Sequence, residues 1–252
     1  MFKTLFASVG IGAAKVDTVL QTEHLVPGQP FQADIIIRGG DVAQDLSGLE
    51  LALMTKIKVE TEEGVELFTH ELQNWSLADT TTIEPGQEIR VPFRAELPSE
   101  TPVTELPVDN NQCVVWLTTG LSIDRGLDAS DKDYLHIHPN KVMQRCMAVM
   151  DELGYRMNKA DVEKGYLSAA GFRSVSGCYQ ELEYHPGAGG FLGGIKGGVQ
   201  EVELSFVPAA EETHLLIELD RAFRGDGYVS LTIPHTEAGL SSVHGQLEHL
   251  LS

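Results

Sequence analysis

Apolar and polar residues alternate along much of this chain with a period of two, the spacing that sets one side of a strand against a core and the other against water. In EIRVPFRAEL, Ile89, Val91, Phe93, Ala95 and Leu97 share one face, and Glu88, Arg90, Arg94 and Glu96 share the other. Pro92 interrupts that run and cannot donate to a ladder, so the strand is expected at a sheet edge or beside a bulge. Leu49, Leu51 and Leu53, then Ile57 and Val59, repeat the pattern upstream, and CVVWLT is apolar enough for a central strand. Later in the chain Leu182 and Tyr184 alternate with Glu181 and Glu183, and Val202, Leu204 and Phe206 with Glu201, Glu203 and Ser205. Leu215, Ile217 and Leu219, and then Val229, Leu231 and Ile233, do the same. Pro-Gly pairs in LVPGQPFQADI and IEPGQEIRVPF fit the middle of type II turns, because Pro fixes a negative φ and Gly accepts a positive one.

Three stretches change period. Phe2, Leu5, Phe6 and Val9 fall at helical spacing, as do Val142, Met143, Cys146, Met147, Val149, Met150 and Leu153, with Gly154 placed to stop the helix. Leu240, Val243, Leu247 and Leu250 form a seam near the C-terminus, suited to docking on the parent domain or on a partner. Many short strands with regular turns and few helices argue for a mainly β fold of packed sheets over a parallel α/β sheet. YLHIH ends in His138-Pro139-Asn140 and helix-like sequence follows, which sets a boundary between an N-terminal domain, 1–138, and a C-terminal domain, 139–252, with an entry helix and a terminal helix.

Composition narrows the partners. A chain of 252 residues with 42% hydrophobic content can bury a sizeable core. Its formal charge of -19 disfavours nucleic acid, which needs a basic stripe, and repels anionic membrane surfaces, whereas a basic protein partner fits. Cys113, Cys146 and Cys178 show no CxxC spacing, and the first two lie in apolar runs, which suits buried thiols in a reducing compartment. MFKTLFASVGIGAAK is too weakly basic and too interrupted for a signal peptide, and no run reaches the ~20 apolar residues that span a bilayer. A cytoplasmic location is therefore expected.

The search for reactive chemistry returns little. GAGGFLGGIKGG carries Leu192 where a dinucleotide fingerprint needs Gly, and Gly197 where a phosphate loop needs Ser or Thr after Lys196. His136 and His138 point to one face of a strand without a third ligand nearby, and the carboxylates Asp124, Asp128, Asp131 and Asp133 lack EF-hand order. Neither GxSxG nor HExxH occurs. The expectation is no catalytic residue, no cofactor and no metal.

ASVGIGAAKVDT at 7–18, IRGGDV at 37–42, PFRAELPSETPVT at 92–104, WLTTGLSIDRGLDASDKDYLHIHP at 116–139 and IELDRAFRG at 217–225 together resemble the bacterial sporulation-control protein family, whose fold is arrestin-like. The resemblance implies a pair of β-sandwich domains, a cytoplasmic location and a non-enzymatic regulatory role, in sporulation or a related stress or division control, exerted through protein contacts. Arrestin-like proteins can hold their domains together through a buried network of opposite charges. On that resemblance Asp124 and Asp128 before the boundary, with Arg221 and Arg224 after it, are the candidates. The function expected is that of an adaptor recruiting proteins through strand edges, acidic loops and the Leu240, Val243, Leu247 and Leu250 seam, a second copy of the chain being one possible partner. The alternative reading is a peripheral membrane or trafficking-type adaptor whose foot is Phe2, Leu5, Phe6 and Val9.

Overall fold

Alternation becomes strand over most of the chain. A computed structural model describes residues 12–61, 64–78, 80–124, 126–187, 199–221 and 227–252. The helix expected from Phe2, Leu5, Phe6 and Val9, and most of the glycine-rich stretch, lie outside them. The first half holds β1 (Lys15–Leu20), β2 (Pro30–Arg38), β3 (Gln44–Thr61), β4 (Gly64–Ala78), β5 (Thr81–Ile83), β6 (Glu88–Glu96), β7 (Val115–Ile123) and β8 (Ala129–Tyr134). The second half holds α1 (Lys141–Glu152), β9 (Tyr155–Lys164), β10 (Ser168–Ala169), β11 (Phe172–Arg173), β12 (Cys178–Pro186), β13 (Val199–Pro208), β14 (Glu212–Arg221), β15 (Gly227–Pro234) and α2 (Glu237–Leu251).

In the first half a three-stranded sheet, β1-β2-β6, packs on the part of a ten-stranded sheet made by β3, β4, β5, β7 and β8. Phe31, Leu49, Leu51, Leu53 and Leu117 fill the space between them, and the rings of Phe31, Trp75 and Phe93 meet edge to face at 5.4 to 6.0 Å. Both Pro-Gly turns form as their chemistry requires: Gly28 and Gly86 have φ of 73° and 68°, and the N–H groups of Gln29 and Gln87 donate to the carbonyls of Val26 and Glu84. Strand β6 ends the smaller sheet, so Pro92 sits opposite Asp34 on an edge where the ladder loses little.

The second half arranges β15-β14-β13-β12-β9 as antiparallel neighbours and covers their inner face with the two helices. Asn140 caps α1 by accepting the N–H of Met143 at 2.9 Å, and Gly154 (φ 88°) follows its end. The Met and Val stripe of α1 turns into this core, with Val149 and Met150 fully buried. The α2 seam is corrected to its intramolecular role: Val243 and Leu247 are fully buried against the same sheet, with Leu240 and Leu250 packed on the cluster beside them. The centre of its apolar seam is already covered by this chain. The fold is mainly β, as the alternation predicts, with α1 and α2 supplying the layer that faces the second half's sheet.

One strand spans both halves. Residues 46–55 of β3 pair with β7, and further along Lys58 pairs with Glu163 of β9 in parallel register. On its other edge β3 pairs with the whole of β4, a long hairpin arm that the sequence pattern does not announce.

Candidate functional site

Charges of both signs meet, partly buried, at the point where β3 passes from one half to the other. Ile57 turns inward, so its neighbour Lys58 turns outward, and the alternation of β9 places Asp161 and Glu163 on that same outer face. Lys58 Nζ lies 2.5 Å from Glu163 Oε1 and 3.3 Å from Asp161 Oδ2. Lys159 Nζ, two residues back on β9, reaches Asp161 Oδ2 at 2.6 Å and Glu183 on β12 at 3.8 Å. Asp161 is 3% exposed, a burial that an ionised carboxylate tolerates only beside positive charge. Burial works to lower the pKa of Lys58, but its hydrogen bond to Glu163 and the charge of Asp161 outweigh it and hold the ammonium well above its ordinary value. Lys159 is raised in the same way, Asp161 overcoming the cost of burial.

Two further devices cross between the halves. The segment between β6 and β7 lies along the second half, where Gln180 Oε1 accepts the N–H of Val103 at 3.0 Å while its Nε2 donates to Val103 O at 2.7 Å and to Cys113 Sγ at 2.9 Å. Glu100 accepts the backbone N–H groups of Val175 and Ser176 at 2.8 to 3.0 Å. A cleft of about 760 Å³ opens between the halves, lined by Val26, Gln29 and Glu96 of the first half, Lys141 and Gln144 of α1, and His235 and Leu240 before and within α2.

Of the residues singled out by resemblance, Asp124 and Asp128 lie elsewhere. Asp128 Oδ1 accepts the N–H of Ile123 at 3.0 Å and the N–H of Asp124 donates to Asp45 O at 2.9 Å, so both belong to the β7–β8 connection and are exposed. Arg221 pairs through its backbone with Val199; its side chain and the whole of Arg224 fall outside the described residues. In the same acidic stretch Asp131 accepts the N–H of Thr18 at 2.8 Å, and Asp133 is pushed up to about 6 by burial and then by Asp131. His136 and His138 do not converge: the first sits 2.7 Å from Glu105, and the second packs its ring edge against His24. What the residue pattern missed is Lys58 with Asp161: it gave the outward position of Lys58, but left β9 unread, and the meeting depends on strand order.

Beyond the lysines the outer sheet face stays acidic. Glu183 on β12 is opposite Glu203 on β13, which in turn is opposite Glu218 on β14. Glu203 is pushed up to about 8 by burial, then by Glu181 and Glu218, and Glu181 to about 7 by burial, then by Glu163 and Asp161.

Comparison with known proteins gives three consistent matches. A family model described as SpoOM protein matches residues 2–223. The sporulation-control protein spo0M of Bacillus subtilis (strain 168) is 32% identical over 224 residues, covering 89% of this chain and 82% of the relative. The crystal structure of the Bacillus subtilis sporulation control protein Spo0M superposes with a TM-score of 0.81 at 26% identity, covering 96% of this chain and 98% of that one. Helix α2 lies beyond the residues that the family model matches.

Proposed function

The chain belongs to the Spo0M family of sporulation-control proteins, and from that premise we propose that it is a non-enzymatic cytoplasmic adaptor that presents binding surfaces on two halves held in a fixed relation. The observation that supports this most is the crossing at Lys58, where one side chain from the first half pairs with two carboxylates of the second. A joint of that kind gives a protein with no need of a reaction a defined geometry across its halves, and the cleft beside α1 is shaped by the same relation. The three free cysteines are buried, and burial pushes Cys113 and Cys146 up to about 12, which suits unreactive thiols in a reducing cytoplasm. Among the described residues no helix is long and apolar enough to cross a membrane.

The test is affinity capture from the native cytoplasm with the intact chain and with Lys58→Ala, both checked for folding by circular dichroism. Proteins retained by the first and lost by the second are the expected result. Identical recovery by both would detach partner binding from the joint. A point change is used because removal of α2 would take Val243 and Leu247 out of the second core.

A further inference from the structure

The outer face of the second sheet brings together three metal-ligating side chains of two kinds. On β12 Glu183 and His185 are two residues apart and share a face; on β13 Glu201 lies two before Glu203, the partner of Glu183 in the ladder, so it comes up beside His185. His185 Nε2 is 2.8 Å from Glu183 Oε1 and 3.5 Å from Glu201 Oε2, and the three donor atoms all lie within 4.8 Å of one another. We propose that Glu183, His185 and Glu201 form a binding site for a divalent transition-metal ion of the zinc class.

The donor set fits that ion. Zinc takes imidazole nitrogen and carboxylate oxygen at about 2.0–2.2 Å, and a tetrahedral arrangement with such bonds spaces its ligand atoms about 3.4 Å apart. The two measured separations bracket that spacing and the third stays within 4.8 Å, so binding asks for side-chain shifts on the order of 1 Å rather than a movement of strands. An imidazole nitrogen distinguishes the cluster from a plain acidic patch, since calcium and magnesium take oxygen donors instead. Three protein ligands on one side leave the fourth position to water or to a partner's side chain.

The surroundings hold the ligands in place. Asn158 Nδ2 donates to Glu183 Oε1 at 2.6 Å, and Lys159 lies 3.8 Å from the other oxygen, so Oε1 is the atom turned toward the imidazole. Glu201 also neighbours Glu203, whose environment is crowded with negative charge from Glu181 and Glu218. A divalent cation there relieves repulsion that Lys159 alone leaves in place. The strands carrying the ligands are paired in register on the ladder, which makes the site more rigid than one built on a loop.

The experiment uses the full chain, freed of metal with a chelator and titrated with Zn²⁺ alone by calorimetry, with Co²⁺ absorption as a second readout. One Zn²⁺ per chain is expected, weakened at least tenfold in both His185→Gln and Glu201→Gln and unchanged in His136→Gln, and the Co²⁺ complex should show the intense visible bands of a four-coordinate ion. His185 and Glu201 are partly exposed on the outer face, so the variants should keep the parent's circular dichroism and melting temperature without metal. Calcium should not compete at equal concentration. Absence of a stoichiometric site, binding that survives His185→Gln, or loss of it in His136→Gln would each overturn the proposal.

Discussion

Two parts of one sheet face carry carboxylates at similar density and deal with them differently. At the crossing of β3 and β9, Asp161 and Glu163 are matched by Lys58 and Lys159, and charge becomes a joint between the halves. Across β12, β13 and β14, Glu203 stands opposite Glu183 and Glu218 in the ladder, and burial, then the like charges of Glu181 and Glu218, makes its carboxyl hold its proton to about 8. Burial is common to both places. The difference is the sign of the neighbour, which decides whether a half-buried acid stabilises a contact or waits for a cation.

The comparison can be scaled and then broken. Leu247→Ala sets the scale, since it removes a fully buried side chain from the helix layer without touching a charge; it should cost about 3 kcal/mol, read by denaturant unfolding. Lys58→Ala should cost somewhat less, about 2 kcal/mol, because Lys159 remains to neutralise Asp161 and the site keeps some water; the melting temperature should fall by about 4–8 °C. A loss no larger than that of an exposed ion pair would mean the crossing is ornamental.

Across the acidic rows the sign reverses. The folded-state pKa of Glu203 is raised, so the stability contributed by its proton is full below its unfolded value and is lost as pH rises through about 8. Glu203→Gln keeps that side chain neutral. Measured with chelator present, the variant should match the parent near pH 4 and exceed it in thermal stability above pH 8, by less than Lys58→Ala loses. The smallest effect is expected at Asp133, raised to about 6 by burial and Asp131: Asp133→Asn should flatten the fall in stability between about pH 4 and pH 6 and leave lower pH unchanged.

Local chemistry is what the sequence made legible. Pro-Gly named both turns, Pro92 named an edge strand, and the Met stripe closed by Gly154 named a helix, because each depends on residues that are neighbours in the chain. The arm β4 went unread: Val65, Leu67 and Phe68 are exposed on it, so burial never imposed a clean alternation. Lys58 and Glu163, or His185 and Glu201, meet through strand order and register, which alternation alone does not determine. Asp124 and Asp128, which the resemblance offers for a charge network, sit in a connection that bonds locally to Ile123 and Asp45, and the side chains of Arg221 and Arg224 fall outside the described residues.

The most direct test of the joint is a double-mutant cycle on Lys58→Ala and Glu163→Gln, followed by equilibrium unfolding of the parent, both single variants and the double variant. The account predicts that the two changes are not additive, with a coupling of about 1 kcal/mol or more across the halves. Additivity within about 0.3 kcal/mol would contradict it and leave the two halves joined by packing and backbone alone.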